Sequence, residues 1–240
     1  MFSGIFLGLL SMLYVISTQK TTLSNAAFLI YTGPIYSTVL ASLFLKEPFT
    51  KVTFFMLLSV FIGCLLIIGV VVYDPATLIA VNLELDPQYA TGNFIALMSG
   101  VAYGLFLFAS RFRTDVDGDV RSFYNFTFAS LTIGVYLAIS IPDLSAMDTS
   151  SWGWLIAAAV ITGFGAFFLL TIAAKYLLAS ELACISYQET VMATLLGVML
   201  FSEPITLMQS IGGCLIIFSG LGQVLFSTRK SKIATEPVPN

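Results

Sequence analysis

The sequence predicts an all-α polytopic membrane protein, and three observations support this fold class. Hydrophobic residues make up 58% of the 240-residue chain, and charged residues make up only 10%. A soluble domain of this size would not bury so much apolar surface, so lipid is the solvent that fits the composition. The apolar residues are also gathered into eight segments, most of which approach the ~20 residues that cross a bilayer.

The eight predicted transmembrane helices follow one another with short polar connections. They cover residues 2–17, 25–45, 52–73, 94–112, 122–141, 152–172, 179–201 and 205–227. The first is short, but no basic residues precede it and no clear small-x-small cleavage site follows it, so we treat it as a crossing and not as a signal peptide. Trp152 and Trp154 open the sixth segment, at a position where indole rings favour the membrane interface.

The positive charges lie on one side of this arrangement. If Met1 is cytoplasmic, nine of the ten Lys and Arg residues lie at cytoplasmic ends or loops, and only Lys20 lies outside. The nine are Lys46, Lys51, Arg111, Arg113, Arg121, Lys175, Arg229, Lys230 and Lys232. By the positive-inside rule, both termini are predicted to be cytoplasmic in a multi-pass protein of the plasma (inner) membrane.

A sequence repeat relates the two halves of the chain. Glu47-Pro48-Phe49-Thr50 returns 156 residues later as Glu203-Pro204-Ile205-Thr206, and the matches at the same offset include Tyr31 with Tyr187. Five predicted crossings separate the two copies, so the copies face opposite sides of the bilayer. Inverted repeats of this kind build secondary transporters, whose binding sites lie near the bilayer midplane between the repeats.

Several stretches resemble one family of transporters. The corner from Phe44 to Thr50, approached by Gly33-Pro34, resembles the EamA-like branch of the drug/metabolite transporter superfamily, and residues 189–206 are similar to the same corner in the second half of that family. Residues 92–97, with Tyr103 and Arg111, resemble the opening of its second repeat. The resemblance implies two five-helix repeats, ten helices in all, and export or exchange of small organic solutes.

The chain departs from that pattern in its first repeat. Four helices separate Asn93 from Glu203, but only two separate Met1 from Glu47. We therefore predict an incomplete first repeat of three helices at 1–73, an extracytoplasmic linker at 74–91, a five-helix second repeat at 92–227 and a cytoplasmic tail at 228–240. The alternative to a transporter is a non-transporting or partner-dependent membrane subunit from a truncated carrier, and a homodimer is also possible.

Glu189 is the one carboxylate placed well inside a predicted membrane segment. It lies ten residues after Ala179, which is ~15 Å along a helix and close to the bilayer midplane. A charge at that depth costs at least ~2.5–3.5 kcal/mol, so it normally faces a cavity or a partner. Two interpretations stay open. Glu189 binds a cationic solute group or exchanges a proton, or it forms a structural hydrogen bond with Gln188, Thr190 or a neighbouring helix.

Small residues mark the face of the helix on which Glu189 lies. The stripe continues as Ala193 and Gly197, and the corresponding stripe of the first repeat is Gly33, Ser37 and Ala41. Small faces pack against other helices and not against lipid. We therefore expect both stripes to line one central cleft between the repeats.

Five further positions complete the predicted substrate and proton site. They are Gln188, Tyr187, Tyr31, Tyr103 and Asn125, with Asn125 as part of an inner gate. Aromatic residues at this depth more often pack against other helices than contact a substrate, so a packing role for the three tyrosines stays open.

Two patterns of Gly and Pro each allow two readings. Gly33 and Pro34 interrupt the second helix and serve either as a gating hinge or as a static kink, because proline lacks a backbone donor. Ala96, Gly100 and Gly104 form a small-residue stripe that fits a dimer contact or packing within the bundle.

The composition excludes several other function classes. The chain has no His, which removes imidazole chemistry, and its three Cys residues lie in apolar segments without paired spacing, which fits packing roles. No nucleotide-binding fingerprint or zinc motif occurs. We expect no enzyme activity, no catalytic or metal-binding residues, no cofactor and no nucleic-acid partner. The expected partners are a small-molecule solute and the lipid bilayer.

Overall fold

A computed structural model describes residues 1–75, 77–83, 86–112, 116–141, 148–202 and 204–235. The first half of the described chain contains α1 (Phe2–Thr18), α2 (Leu23–Ile30), α3 (Gly33–Phe44), α4 (Lys51–Ile67) and α5 (Ala90–Ala109). The second half contains α6 (Gly118–Ser140), α7 (Thr149–Ala158), a π-helical segment (Ala159–Ala166), α8 (Phe167–Tyr176), α9 (Ala179–Ser186), α10 (Gln188–Phe201) and α11 (Leu207–Thr235). A two-stranded ribbon, β1 (Val71–Val72) with β2 (Ala80–Val81), and the 3-10 turn Pro87–Tyr89 precede α5.

The helices confirm the all-α polytopic fold class. Within the described ranges, six helical stretches are long and apolar enough to cross a membrane: Leu23–Phe44, Pro87–Ala109, Gly118–Ser140, Thr149–Tyr176, Ala179–Leu200 and Leu207–Phe226. The helices α1 and α4 are also apolar, but each has only 17 residues. The total of eight crossings therefore stays a prediction.

Two predicted helix ends differ from the structure by six residues or more. The third segment was expected to run to residue 73, but α4 ends at Ile67, because Gly69 takes a left-handed φ of 76° and Val71–Val72 then pairs with Ala80–Val81. A run of β-branched valines favours this extended conformation. At the other end of the chain, α11 continues to Thr235, whereas the last helix was predicted to end at residue 227.

The helices pack around α5 and α9. Helix α5 contacts α1, α2 and α3, while α9 contacts α3, α4, α8 and α11, and α4 lies along α11. One buried cluster contains Val60, Tyr187 and Ile216, and a second contains Phe106 and Leu182. Because α9 supplies residues to both clusters, this short helix connects the two parts of the hydrophobic core.

Glycines let α5 approach the α2–α3 pair at backbone distance. A Cβ added at Gly104 would lie 2.7 Å from the carbonyl oxygen of Gly33, and one added at Gly33 would lie 2.7 Å from the carbonyl oxygen of Gly100. Real side chains do not come so close, so these positions require glycine. The stripe of Ala96, Gly100 and Gly104 is buried and is used for packing within the bundle.

Substitution at this crossing should destabilise the fold. Gly100→Val would drive a Cβ into the carbonyl oxygen of Leu29 and leave it 2.9 Å from the Thr32 hydroxyl. We expect the free energy of unfolding to fall by about 1–3 kcal/mol, the usual cost of overpacking. The measurement is the midpoint of thermal aggregation in detergent. Gly134→Val is the matched control, because no heavy atom lies within 4 Å of a Cβ there, and equal losses in both variants would contradict the prediction.

Candidate functional site

Two membrane helices are broken at corresponding positions of the sequence repeat. The first break separates α2 from α3 at Tyr31 and Thr32, and the second separates α9 from α10 at Tyr187. Helix α9 begins and ends 156 residues after α2, and α11 begins 156 residues after α4. These helices therefore repeat along the chain at the same 156-residue spacing as the matching residues of the sequence.

The first break releases a backbone acceptor inside the bundle. Pro34 has no N–H, and the N–H of Ile35 donates to the carbonyl oxygen of Thr32 at 3.1 Å instead of continuing the α-helical pattern to Tyr31. The Tyr187 hydroxyl donates to the free Tyr31 carbonyl oxygen at 2.5 Å, and the two ring centroids are 5.8 Å apart. The symmetry-related tyrosines thus join the two breaks directly.

A cavity of about 720 Å³ lies beside the two breaks. Its polar wall contains Glu189 together with Tyr14, Tyr31 and Tyr103, and its apolar wall contains Leu10, Phe167, Leu170 and Ile185. Glu189 stands in the first turn of α10, where the helix dipole favours a negative charge. The site therefore combines one carboxylate with three tyrosine side chains.

The structure brings together three of the six predicted substrate-site residues. Glu189, Tyr31 and Tyr103 line the same cavity. Tyr14 of α1 lines it too and was missed by the sequence reasoning, although Ser11 and Tyr14 share one polar face of an otherwise apolar helix. This polar face was the sequence feature that could have indicated that Tyr14 lines a cavity.

The other predicted residues lie elsewhere. Tyr187 is fully buried, 0% exposed, and supports the Tyr31 carbonyl from behind the cavity wall. Gln188 points to α11, where its Nε2 donates to the carbonyl oxygen of Ile216 at 3.1 Å. Asn125 accepts a hydrogen bond from the Ser3 hydroxyl at 2.5 Å and lines a separate cavity of about 740 Å³ at the start of α1.

The stripe of the first repeat does not line the cleft that was expected for it. Gly33 packs against Gly100 and Tyr103, and Ser37 is only 1% exposed. The expectation that both stripes face one cleft was wrong, because α5 occupies the face of α3 that the first stripe forms. Gly33 and Pro34 open α3 at the break, which is where a hinge would act.

An ion pair joins four segments at the predicted cytoplasmic end. Arg111 Nη2 lies 2.8 Å from Glu47 Oε1, and the two side chains are 13% and 12% exposed. Arg111 Nη1 also donates to the carbonyl oxygen of Ala174 at 2.7 Å, and Glu47 Oε2 accepts from the N–H of Ala179 at 2.7 Å. The pair thus ties the corner after α3 and the end of α5 to the ends of α8 and α9 that meet at residues 177–178.

Comparisons with known proteins agree with this architecture. The profile of the EamA-like transporter family matches residues 1–69 and 90–224. An uncharacterized transporter of Archaeoglobus fulgidus is 26% identical over 207 residues, which are 85% of this chain and 68% of the relative. A crystal structure with 19% sequence identity superposes with a TM-score of 0.77 and covers 95% of this chain and 77% of that chain. This superposition shows that the solved protein and this chain share one fold.

Proposed function

The chain belongs to the EamA-like transporter family and is a membrane transporter, and from this premise we propose that it exports or exchanges small organic solutes that carry a positive charge. The proposal rests on the residues that line the cavity. Glu189 is its one carboxylate, and none of the described residues that line it is cationic. A carboxylate in one cavity with Tyr14, Tyr31 and Tyr103 suits an amine or quaternary ammonium group, which gains both ion pairing and cation–π contact.

Proton exchange follows from the same carboxylate. Glu189 can hold a proton or a cationic solute group, and the two occupants compete for one negative charge. A solute that leaves on one side and a proton that arrives from the other would drive exchange without a nucleotide site. The position of Glu189 at a helix break supports this role, because transporters place their coupling sites at discontinuous helices.

Alternating access requires that one end of the pathway be closed at a time. The Glu47–Arg111 pair is placed to close the cytoplasmic end, since its partners belong to segments from both proposed repeats, 1–73 and 92–227. Breaking it would release the ends of α8 and α9 from the corner after α3. We propose Glu47 and Arg111 as the inner gate, in place of Asn125, which has its own cavity.

The proposed membrane setting follows from the charge pattern. Nine of ten basic residues on one side support cytoplasmic termini in a plasma (inner) membrane, with 74–91 as an outer linker and 228–240 as a cytoplasmic tail. Transport by a conformational cycle requires no chemical step, so we propose no enzyme activity. Gly33 and Pro34, at the start of α3, are the proposed hinge of that cycle.

A second candidate function is a partner-dependent subunit, which binds the solute but does not move it alone. The chain aligns with 68% of its transporter relative and covers 77% of the solved chain. Both relatives are therefore longer than the region that this chain matches.

One pair of measurements tests the proposed function. The purified chain is placed in lipid nanodiscs to measure ethidium binding and in liposomes to measure ethidium flux under an imposed proton gradient. We expect saturable binding of this aromatic cation that weakens as the pH falls and Glu189 takes up a proton. Binding with flux supports the transporter, and binding without flux supports the partner-dependent subunit. Absence of saturable binding at any pH would overturn the assignment of a cationic solute.

A further inference from the structure

The cavity of about 740 Å³ lies between the ends of three helices at the predicted cytoplasmic side, and we refer to it as the Arg121 cavity. The start of α1, the end of α5 and the start of α6 form its wall. Tyr103 of α5 lines the Glu189 cavity, whereas Phe108 and Phe112, about 140–180° around the same helix, line the Arg121 cavity. The two cavities are therefore separate and lie against different faces of α5.

The Arg121 cavity is opposite in charge to the Glu189 cavity. Arg121 is the one cationic side chain among the described residues that line it, and none of those residues is acidic. The described lining of the Glu189 cavity has one carboxylate and no cation. Because like charges repel, a cationic solute does not fit the Arg121 cavity, and a ligand with a negative group does.

Arg121 stands in the first turn of α6, where a backbone contact holds its guanidinium beside the cavity. Its Nη2 donates to the carbonyl oxygen of Ser110, a residue that is 2% exposed. A carbonyl is neutral, so this contact orients the guanidinium without removing its charge. The fork of N–H donors on a guanidinium matches the oxygens of a phosphate group, which arginine recognises in two-point contacts.

An apolar wall with one buried amide continues from Arg121 toward the membrane interior. Phe2 and Phe112 line this wall and are 67% and 46% exposed, so their rings are accessible to lipid chains. Asn125 follows Arg121 by four residues, ~6 Å along α6, and is 4% exposed. It accepts a hydrogen bond from the Ser3 hydroxyl at 2.5 Å, and its amide is a donor of the kind that an ester carbonyl accepts. Cation, amide and aromatic wall thus follow the order of phosphate, ester and acyl chain in a phospholipid.

We propose that the Arg121 cavity binds one anionic phospholipid of the cytoplasmic leaflet. The phosphate lies on Arg121, the ester carbonyls lie beside Asn125, and an acyl chain follows the aromatic wall. Charge complementarity favours this occupant, because basic pockets between membrane helices on the cytoplasmic side bind anionic head groups. A zwitterionic lipid brings an ammonium group, which the guanidinium repels. The positive-inside pattern of the chain places the cavity in this leaflet.

Quenching by brominated lipids tests the proposal in vesicles of equimolar phosphatidylglycerol and phosphatidylcholine. The reporter is Tyr124→Trp, which lies in the cavity lining, and Trp152→Phe with Trp154→Phe removes the two native indoles. Bromine is placed on the chains of one lipid at a time, so the surface charge of the vesicle stays constant. We expect an association constant about fivefold higher for phosphatidylglycerol, which is the effect of one basic residue close to anionic lipid.

A neighbouring position on α6 provides the matched control. Phe123 is 68% exposed and is not among the described residues that line the cavity, so Phe123→Trp should give about equal constants for the two lipids. Arg121→Gln should lower the preference at Tyr124→Trp to that of the control, and Arg121→Lys, which keeps the charge, should retain part of it. The two reporter positions are compared with Arg121 in place, so the test stands even if Arg121→Gln does not fold.

A soluble anion is the other source of a phosphate group. Glycerol phosphate in large excess should leave the preference for phosphatidylglycerol unchanged, because it has no acyl chain to occupy the aromatic wall. Loss of the preference on its addition would overturn the proposal. The same holds for equal preference at the two reporter positions and for a preference that Arg121→Gln leaves intact.

Discussion

The Glu189→Gln variant is expected to bind ethidium about 10–100-fold more weakly than the wild-type chain and to lose the pH dependence of binding. The amide keeps the size of the side chain but carries no charge. Hydrogen bonds to charged groups contribute about 1.5–3 kcal/mol, which converts to this range of affinity. The measurement is ethidium titration in nanodiscs between pH 5 and pH 9, and, where the wild type supports flux, exchange in liposomes.

The control for this variant is an acid-to-amide exchange away from the cavity. Asp117→Asn removes a carboxylate that is 80% exposed and lies 3.8 Å from Lys175 at the predicted cytoplasmic surface. We expect its binding curve to match that of the wild type. If Glu189→Gln kept wild-type affinity and an unchanged pH profile, Glu189 would be a structural residue that pairs with its neighbours, as the alternative interpretation holds.

The Arg111→Ala variant is expected to lose about 3–5 kcal/mol of folding free energy and to open the cytoplasmic end of the bundle. Removing one member of a buried ion pair leaves the other charge without its counterion, and the Glu47 carboxylate would be that charge. The N–H of Ala179 would remain its partner, while the carbonyl oxygen of Ala174 would lose its donor. Thermal aggregation in detergent measures the loss of stability.

Access to the cavity distinguishes gate opening from simple destabilisation. A Ser186→Cys reporter lines the cavity, and a membrane-impermeant maleimide applied from the cytoplasmic side should label it faster when Arg111 is Ala. Arg111→Lys keeps the charge, but a lysine ammonium cannot reproduce the contacts of Nε and Nη2 with Glu47 together with that of Nη1 with Ala174, so its labelling rate should be intermediate. Unchanged labelling in Arg111→Ala, at a temperature where both proteins stay folded, would refute the gate.

The sequence was most informative where local chemistry decides the structure. Pro34 cannot donate a backbone hydrogen bond, and the helix breaks beside it. The offset that pairs Tyr31 with Tyr187 was readable from residue identity, and both tyrosines stand at helix breaks. Glu189 was identifiable because a carboxylate is costly in lipid wherever the chain folds, and it lines the cavity.

The sequence was least informative where distant segments meet. Arg111 and Glu47 are 64 residues apart, and no local pattern indicates that their side chains touch. The burial of Ser37 beneath α5 likewise depends on which helices become neighbours, and periodicity does not specify this. Tyr14 shares a helix face with Ser11, but the sequence does not specify whether that face meets a cavity or a neighbouring helix.

The hydrogen bond from Tyr187 to the Tyr31 carbonyl has a mechanical consequence. Two broken helices normally provide two independent joints, each with its own bending motion. The hydrogen bond couples the two breaks, because bending at one break without the other would stretch it. A bond of this kind contributes about 0.5–1.5 kcal/mol, so we expect the half-helices α2, α3, α9 and α10 to move together more readily than separately.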